Sequence, residues 1–229
     1  MIPFRDNIPS RSFPIINILL IVINIVAFVY ELSLGSGLQR FINHYALIPA
    51  HVLSWPPPHV TLQQVAMPFL TAMFLHAGWL HLIGNMLYLW IFGDNVEDRL
   101  GHINYLFFYI LCGLGAGIVH TIINAGSTVP SLGASGAIAG VLGAYLVSYP
   151  FARVLTLVPI LIFLQVIEIP AIIVLGFWFV MQFLSGTAAL ATGSASSGGV
   201  AWWAHIGGFV IGILLLRVFP RRPVMTSRY

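Results

Sequence analysis

Residues 133–149 read GASGAIAGVLGAYLVSY: no charge, and glycine or alanine at eight positions. Gly136, Gly140 and Ala144 recur every four residues, so they share one side of a helix. In water such a helix has no polar face to solvate it. In a bilayer, small residues let helix backbones come close. The segment spells a membrane helix with Ser135 at one end.

The rest of the chain agrees. Of 229 residues, 59% are hydrophobic and 7% charged. A soluble domain carries roughly 25% charged residues, and disordered chains are polar. Both classes are excluded. Each span needs about 20 residues, so the length holds one small bundle with short connections and no large extramembrane domain. The net charge of +3 reflects topology; it is no sign of nucleic-acid binding. Cys112 is the single cysteine, so neither an intrachain disulfide nor a thiol metal site can form.

Six apolar runs mark six spans, at about 14–34, 78–96, 102–124, 135–149, 169–191 and 200–219. The expected class is an all-α membrane protein: a cytoplasmic segment 1–13, a six-helix bundle 14–219 and a cytoplasmic tail 220–229. The first run follows Arg5 and Arg11 like a signal peptide. It exceeds a typical h-region and lacks a small-residue cleavage site, so it reads as a retained first span. Residues 154–165 are apolar but short and broken by Pro159, and read as an interfacial or re-entrant loop. The connection 35–77, with Trp55 and Phe69, reads as half-buried at the headgroup level. With six spans, Arg5, Arg11, Arg99, Arg153, Arg217, Arg221, Arg222 and Arg228 share one side, and Arg40 alone faces the other. That bias puts both termini in the cytoplasm. No internal repeat supports an inverted-repeat transporter.

Spans two, four and six all run inward. Their outer ends carry His81 and Asn85, Ser135, and His205, which topology places in one layer. Alone, each has an ordinary reading as packing or interhelical hydrogen bonding. Together, at one depth on three helices, they make a reactive constellation. A serine hydroxyl needs a base, and His205 is the only histidine in spans four to six. The six acids are Asp6, Glu31, Asp94, Glu97, Asp98 and Glu168, and none stands naturally beside His205. The reading is a Ser–His dyad held by packing or neutral hydrogen bonds. His81, Asn85 and the Ser135 amide could donate to an oxyanion. The stripes Gly136/Gly140 and Gly208/Gly212 would bring spans four and six together. No zinc motif occurs, and His76 and His81, five apart, would diverge by about 140° on a helix. His44, His51, His59, His102 and His120 read as loop or interface residues.

The ordered motifs HLIGN (81–85), GASG (133–136) and AHIGGFVIG (204–212), with FLHAGWLHLIGN (74–85) and VEDRLG (96–101), resemble the rhomboid family of intramembrane serine proteases. The resemblance covers about 14–219. It implies Ser135 as nucleophile, His205 as general base, and His81 and Asn85 as oxyanion-hole side chains, with no cofactor. It implies a cap at 192–199 over the site, span five as a mobile wall, and a structural charged pair, Glu97 and Arg99. It further implies single-span membrane substrates cut near the outer surface. The form it implies is the compact bacterial type, multi-pass in the cytoplasmic membrane. Two positions depart from the pattern. Met67-Pro68 stands where many members have Trp-Arg. Ala139 stands where some place an aromatic on the base, and Trp202 and Trp203 are the candidates to replace it. The rival reading is a non-proteolytic membrane protein that binds clients on the same fold. A transporter would want midplane charges, and none is visible.

Overall fold

The computed structural model describes residues 1–53, 61–160, 163–192 and 200–225. In chain order these form β1 (Ile2–Asp6), α1 (Ile15–Ser33), α2 (Leu38–Tyr45), α3 (Pro49–Leu53), α4 (Leu62–Thr71), α5 (Trp79–Leu100), α6 (His102–Ile123), α7 (Ser135–Ser148), β2 (Arg153–Ile160), β3 (Phe163–Pro170), α8 (Ala171–Ala191) and α9 (Trp202–Val218). Helices dominate. By length and apolarity, α1, α6 and α8 can each cross a bilayer. The pair Leu62–Phe74 and Trp79–Leu100 passes only together, bent by 78°. Helices α7 and α9 are apolar but shorter.

The bundle has an apolar core, and it also turns its polar groups inward while leaving apolar side chains outside, as α1 shows. Asn17, Asn24 and Glu31 repeat every seven residues and are buried, while Val22, Val26 and Val29 are exposed. Asn17 is fully engaged on this inward face, whereas Asn24 Oδ1 has no partner among the described residues. Asn17 Nδ2 donates to Leu89 O at 2.9 Å, and its Oδ1 accepts from Tyr105 Oη at 2.8 Å. Glu97 on α5 accepts the Ile16 and Asn17 amides at 3.0 and 2.7 Å, satisfying the free donors of the first turn of α1. Apolar solvent around the bundle leaves the outside apolar and turns polar groups inward, because an unpaired polar group facing lipid costs several kcal/mol.

Helices α7 and α9 pack most closely. A Cβ on Gly208 would lie 2.0 Å from Gly136 O, and one on Gly212 would lie 2.1 Å from Gly140 O. Gly143 meets Phe209 O in the same way, at 2.3 Å. Helices α5 and α6 flank this pair, and α8 rests mainly on α9.

Three expectations need correction. The chain is not purely helical: β1, β2 and β3 form an antiparallel sheet in that order. Residues 154–160 and 163–165 lie within it, with register running from Arg153↔Pro170 to Ile160↔Phe163. The run is rich in Val and Ile, interrupted by Pro159 and closed by Pro170, so strand propensity and lost helical donors win over hydropathy. The N-terminal segment joins it, pairing Ile2↔Leu157 and Asp6↔Val154, with a bulge next to Pro3. Second, Glu97 and Arg99 do not pair. Residues two apart face different sides of a helix, and Glu97 instead meets His102 Nδ1 at 2.5 Å. Third, His102 is accordingly no idle loop residue; it joins the α5–α6 corner. The connection 35–53 and 61–77 folds into α2, α3 and α4. His59 and Trp55 lie outside the described residues, as do 193–199, the expected cap, and Arg228.

Candidate active site

Ser135 opens α7. Gly133, two residues earlier, has φ +126°, a conformation that only glycine adopts without strain. Its amide donates to Ala72 O at 2.8 Å, and Ser131 and Leu47 exchange hydrogen bonds at 2.8 and 2.9 Å. The loop before the serine is therefore stitched to the connection ahead of α5. No side chain caps α7, so the first-turn N–H groups, that of Ser135 included, remain available as donors.

His205 stands one turn into α9 and is buried. Its Nε2 lies 2.8 Å from Ser135 Oγ, across 70 residues of sequence. The glycine stripes permit this distance, since α7 and α9 touch backbone to backbone at Gly136 and Gly208. The other ring nitrogen, Nδ1, lies 2.7 Å from Gln182 Oε1 on α8. Trp178, one turn before Gln182, sets its ring 5.9 Å from the imidazole at 34°. Trp202 meets it edge-on at 6.4 Å. Of the two expected aromatic supports, Trp202 has a ring contact with His205, and Trp203 contacts Phe183 instead.

His81 and Asn85 lie one turn apart on α5 and reach toward Gly133. A Cβ there would sit 2.7 Å from His81 Nε2 and 3.6 Å from Asn85 Nδ2. The Ala77 amide points at His81 Nδ1, 3.4 Å away, which leaves Nε2 as the protonated nitrogen of the neutral ring. Asn85 Nδ2 lies 3.0 Å from His76 Nε2. The helical-wheel separation of His76 and His81 does not hold, because α5 starts only at Trp79; their ring centroids are 5.1 Å apart. The His76 amide is held by both oxygens of the buried Glu31, at 3.2 and 3.3 Å. Among the described residues no group of three His, Cys, Asp or Glu side chains is placed to hold a metal. A cavity of about 40 Å³ adjoins Ser135, lined by Met73, Ala116, Gly133, Gly136 and Ala204. Small walls leave it room for water or a short side chain.

The arrangement can therefore move a proton from Ser135 to His205 and present three neutral N–H donors to a developing oxyanion. Sequence reasoning overlooked Gln182, Trp178 and the place of His76. One signal existed: Gln182 is the only amide in the apolar run 169–191, and polar groups in such runs are functional by default.

Comparison with known sequences gives a consistent picture. The family model described as "Rhomboid domain" matches residues 63–222. Rhomboid-like protein 11, chloroplastic, of Arabidopsis thaliana is 28% identical over 158 residues, 68% of this chain and 53% of that protein. Rhomboid protein 1, mitochondrial, of Saccharomyces cerevisiae is 33% identical over 146 residues, 62% of this chain and 38% of that one. Rhomboid protease GluP of Bacillus subtilis is 43% identical over 77 residues, 34% of this chain and 15% of that one. The chain thus spans about half the length of these relatives or less.

Proposed function

The chain belongs to the rhomboid family, and on that footing we propose that it is an intramembrane serine endopeptidase. The observation that carries the reading is the 2.8 Å contact between Ser135 Oγ and His205 Nε2. Two helices distant in sequence bring a nucleophile and a base into hydrogen-bond reach inside an apolar bundle. In the proposed reaction His205 Nε2 takes the hydroxyl proton as Oγ attacks the scissile carbonyl carbon. The oxyanion accepts from His81 Nε2–H, Asn85 Nδ2–H and the Ser135 amide. The imidazolium then protonates the leaving amine. Water, deprotonated by the same nitrogen, releases the acyl group and restores the serine.

We read the bundle as six spans with both termini cytoplasmic, on the arginine bias. Helix α7 has 14 residues, about 21 Å at 1.5 Å each, against a hydrocarbon core of about 30 Å. Its serine end then lies below the outer surface, where the small cavity beside Ser135 would hold hydrolytic water. Substrates of the proposed class are single-span membrane proteins cut near that surface. A phosphatase or fluorescent reporter fused after residue 225 should read cytoplasmic; an extracytoplasmic signal would refute the orientation.

The decisive comparison is Ser135→Ala in liposomes with a panel of single-span reporters. Cleavage should vanish while the thermal transition persists. A fluorophosphonate probe should label the wild-type serine and miss the variant. A protein that only binds clients would show no adduct at Ser135 and unchanged client retention in the variant.

A further inference from the structure

The base is held from a helix that carries neither member of the dyad. Gln182 sits in α8, whose remaining side chains are almost all apolar, and is 7% exposed. Burying an amide in such surroundings costs free energy unless it is bonded, and its oxygen is bonded: Oε1 lies 2.7 Å from His205 Nδ1. Trp178 stands four residues earlier on the same face of α8, against the same ring.

We infer that Gln182 is the positioning residue of the base, fixing His205 in the tautomer that can accept the serine proton. The inference rests on the protease reading. An amide oxygen only accepts, so the proton of neutral His205 must sit on Nδ1. That leaves the Nε2 lone pair facing Ser135 Oγ. When the ring becomes imidazolium both nitrogens donate, and the amide oxygen still matches. A carbonyl thus performs, without charge, the orienting role a carboxylate has in a triad. No acid is needed beside His205, and among the described residues none bonds to its ring. Because Gln182 and Trp178 both belong to α8, the base is fully held only while α8 is docked on α9.

The test compares Gln182→Met, which keeps volume and loses the acceptor, with Gln182→Glu, which keeps the acceptor. Met should lower kcat about 10- to 100-fold, the scale expected when a buried donor loses its partner in the reacting state, with KM and Tm unchanged. Glu should recover most of that loss. Full kcat in the Met variant would overturn the role. So would equal losses in Met and Glu, or a loss that tracks Tm, because each marks packing alone. Nitrogen-15 chemical shifts of His205 read the tautomer whether or not anything is cleaved. The wild type should carry its proton on Nδ1 and the Met variant should lose that preference; a wild-type proton on Nε2 would refute the inference. If the wild type neither cleaves reporters nor takes up fluorophosphonate, the protease reading fails, and the nitrogen-15 result still decides Gln182.

Discussion

Asn85 has one bonded partner and, in the proposed mechanism, would serve a second with the same amide. Its Nδ2 meets the His76 ring at 3.0 Å, and the second N–H is free to face the space beside Gly133. His76 is in turn fixed by Glu31 through its backbone, so the donor is aimed before any substrate arrives. Preset donors of this kind are worth about 10²–10³ in kcat each. Asn85→Ala should lower kcat on a reporter by that order, with KM nearly constant. An unchanged kcat would remove Asn85 from the oxyanion hole. Ser135, His205, His81 and Asn85 were legible because each is a polar group in an apolar run, and a helix converts sequence position into depth. Gln182 has the same signature. It was passed over because depth says nothing about which way a side chain faces, and only the packing of α8 on α9 turns it toward the base.

At the scale of elements, the pairing of α7 with α9 decides whether a dyad exists. Gly208→Ala would put a methyl 2.0 Å from Gly136 O, a backbone atom that cannot rotate away. Overpacking costs typically about 1–3 kcal/mol, and the helices must part to relieve it. We expect Gly208→Ala to lower Tm in detergent and to lower kcat further, because the Ser135–His205 contact lengthens. Gly176→Ala on α8 is the control. Nothing lies within 4 Å of its added Cβ, and alanine favours a helix over glycine by about 1 kcal/mol, so its Tm should hold or rise. Equal behaviour of the two would refute the close-approach account. The stripe and its partner were both readable from the four-residue period, although α6 has Gly113 and Gly117 at the same spacing; these meet Met73, Phe69 and Leu47.

Across the whole molecule, the N-terminal strand fastens the bundle at the end of α7 away from Ser135. Asp6 on β1 accepts a hydrogen bond from Tyr145 Oη on α7, while Ser10 donates to Asp94 on α5 at 2.8 Å. Burial raises the Asp6 carboxyl to about 7; the Asp94 charge adds to this, and the Tyr145 hydrogen bond offsets only part of it. The folded state therefore binds the Asp6 proton more tightly than the unfolded chain, whose carboxyl titrates near 3.9. The stabilising contribution is complete below that value and is lost as pH rises through about 7. Wild-type Tm should fall by a few degrees between pH 5 and pH 8. Asp6→Asn should flatten that slope and exceed wild type at pH 8; an unaltered slope would exclude Asp6 as its source.

The sequence by itself determined the solvent, the helical character and which polar side chains gather in one layer. Charge scarcity, apolar run length and the rise of a helix are local quantities, and each is additive along the chain. It misjudged 154–165, where hydropathy could not separate an apolar strand from an apolar loop and the deciding partner, β1, lies some 150 residues away. It named Trp202 as a support for His205 but missed the hydrogen bond to Gln182, which joins two helices. Only the tertiary structure decided which faces meet: α7 on α9 through glycine, α8 against the imidazole through Gln182, and α5 beside Gly133. Such contacts depend on the rotation of one helix about its axis relative to another. That rotation is set by side-chain packing summed over the whole bundle, and no single segment encodes it.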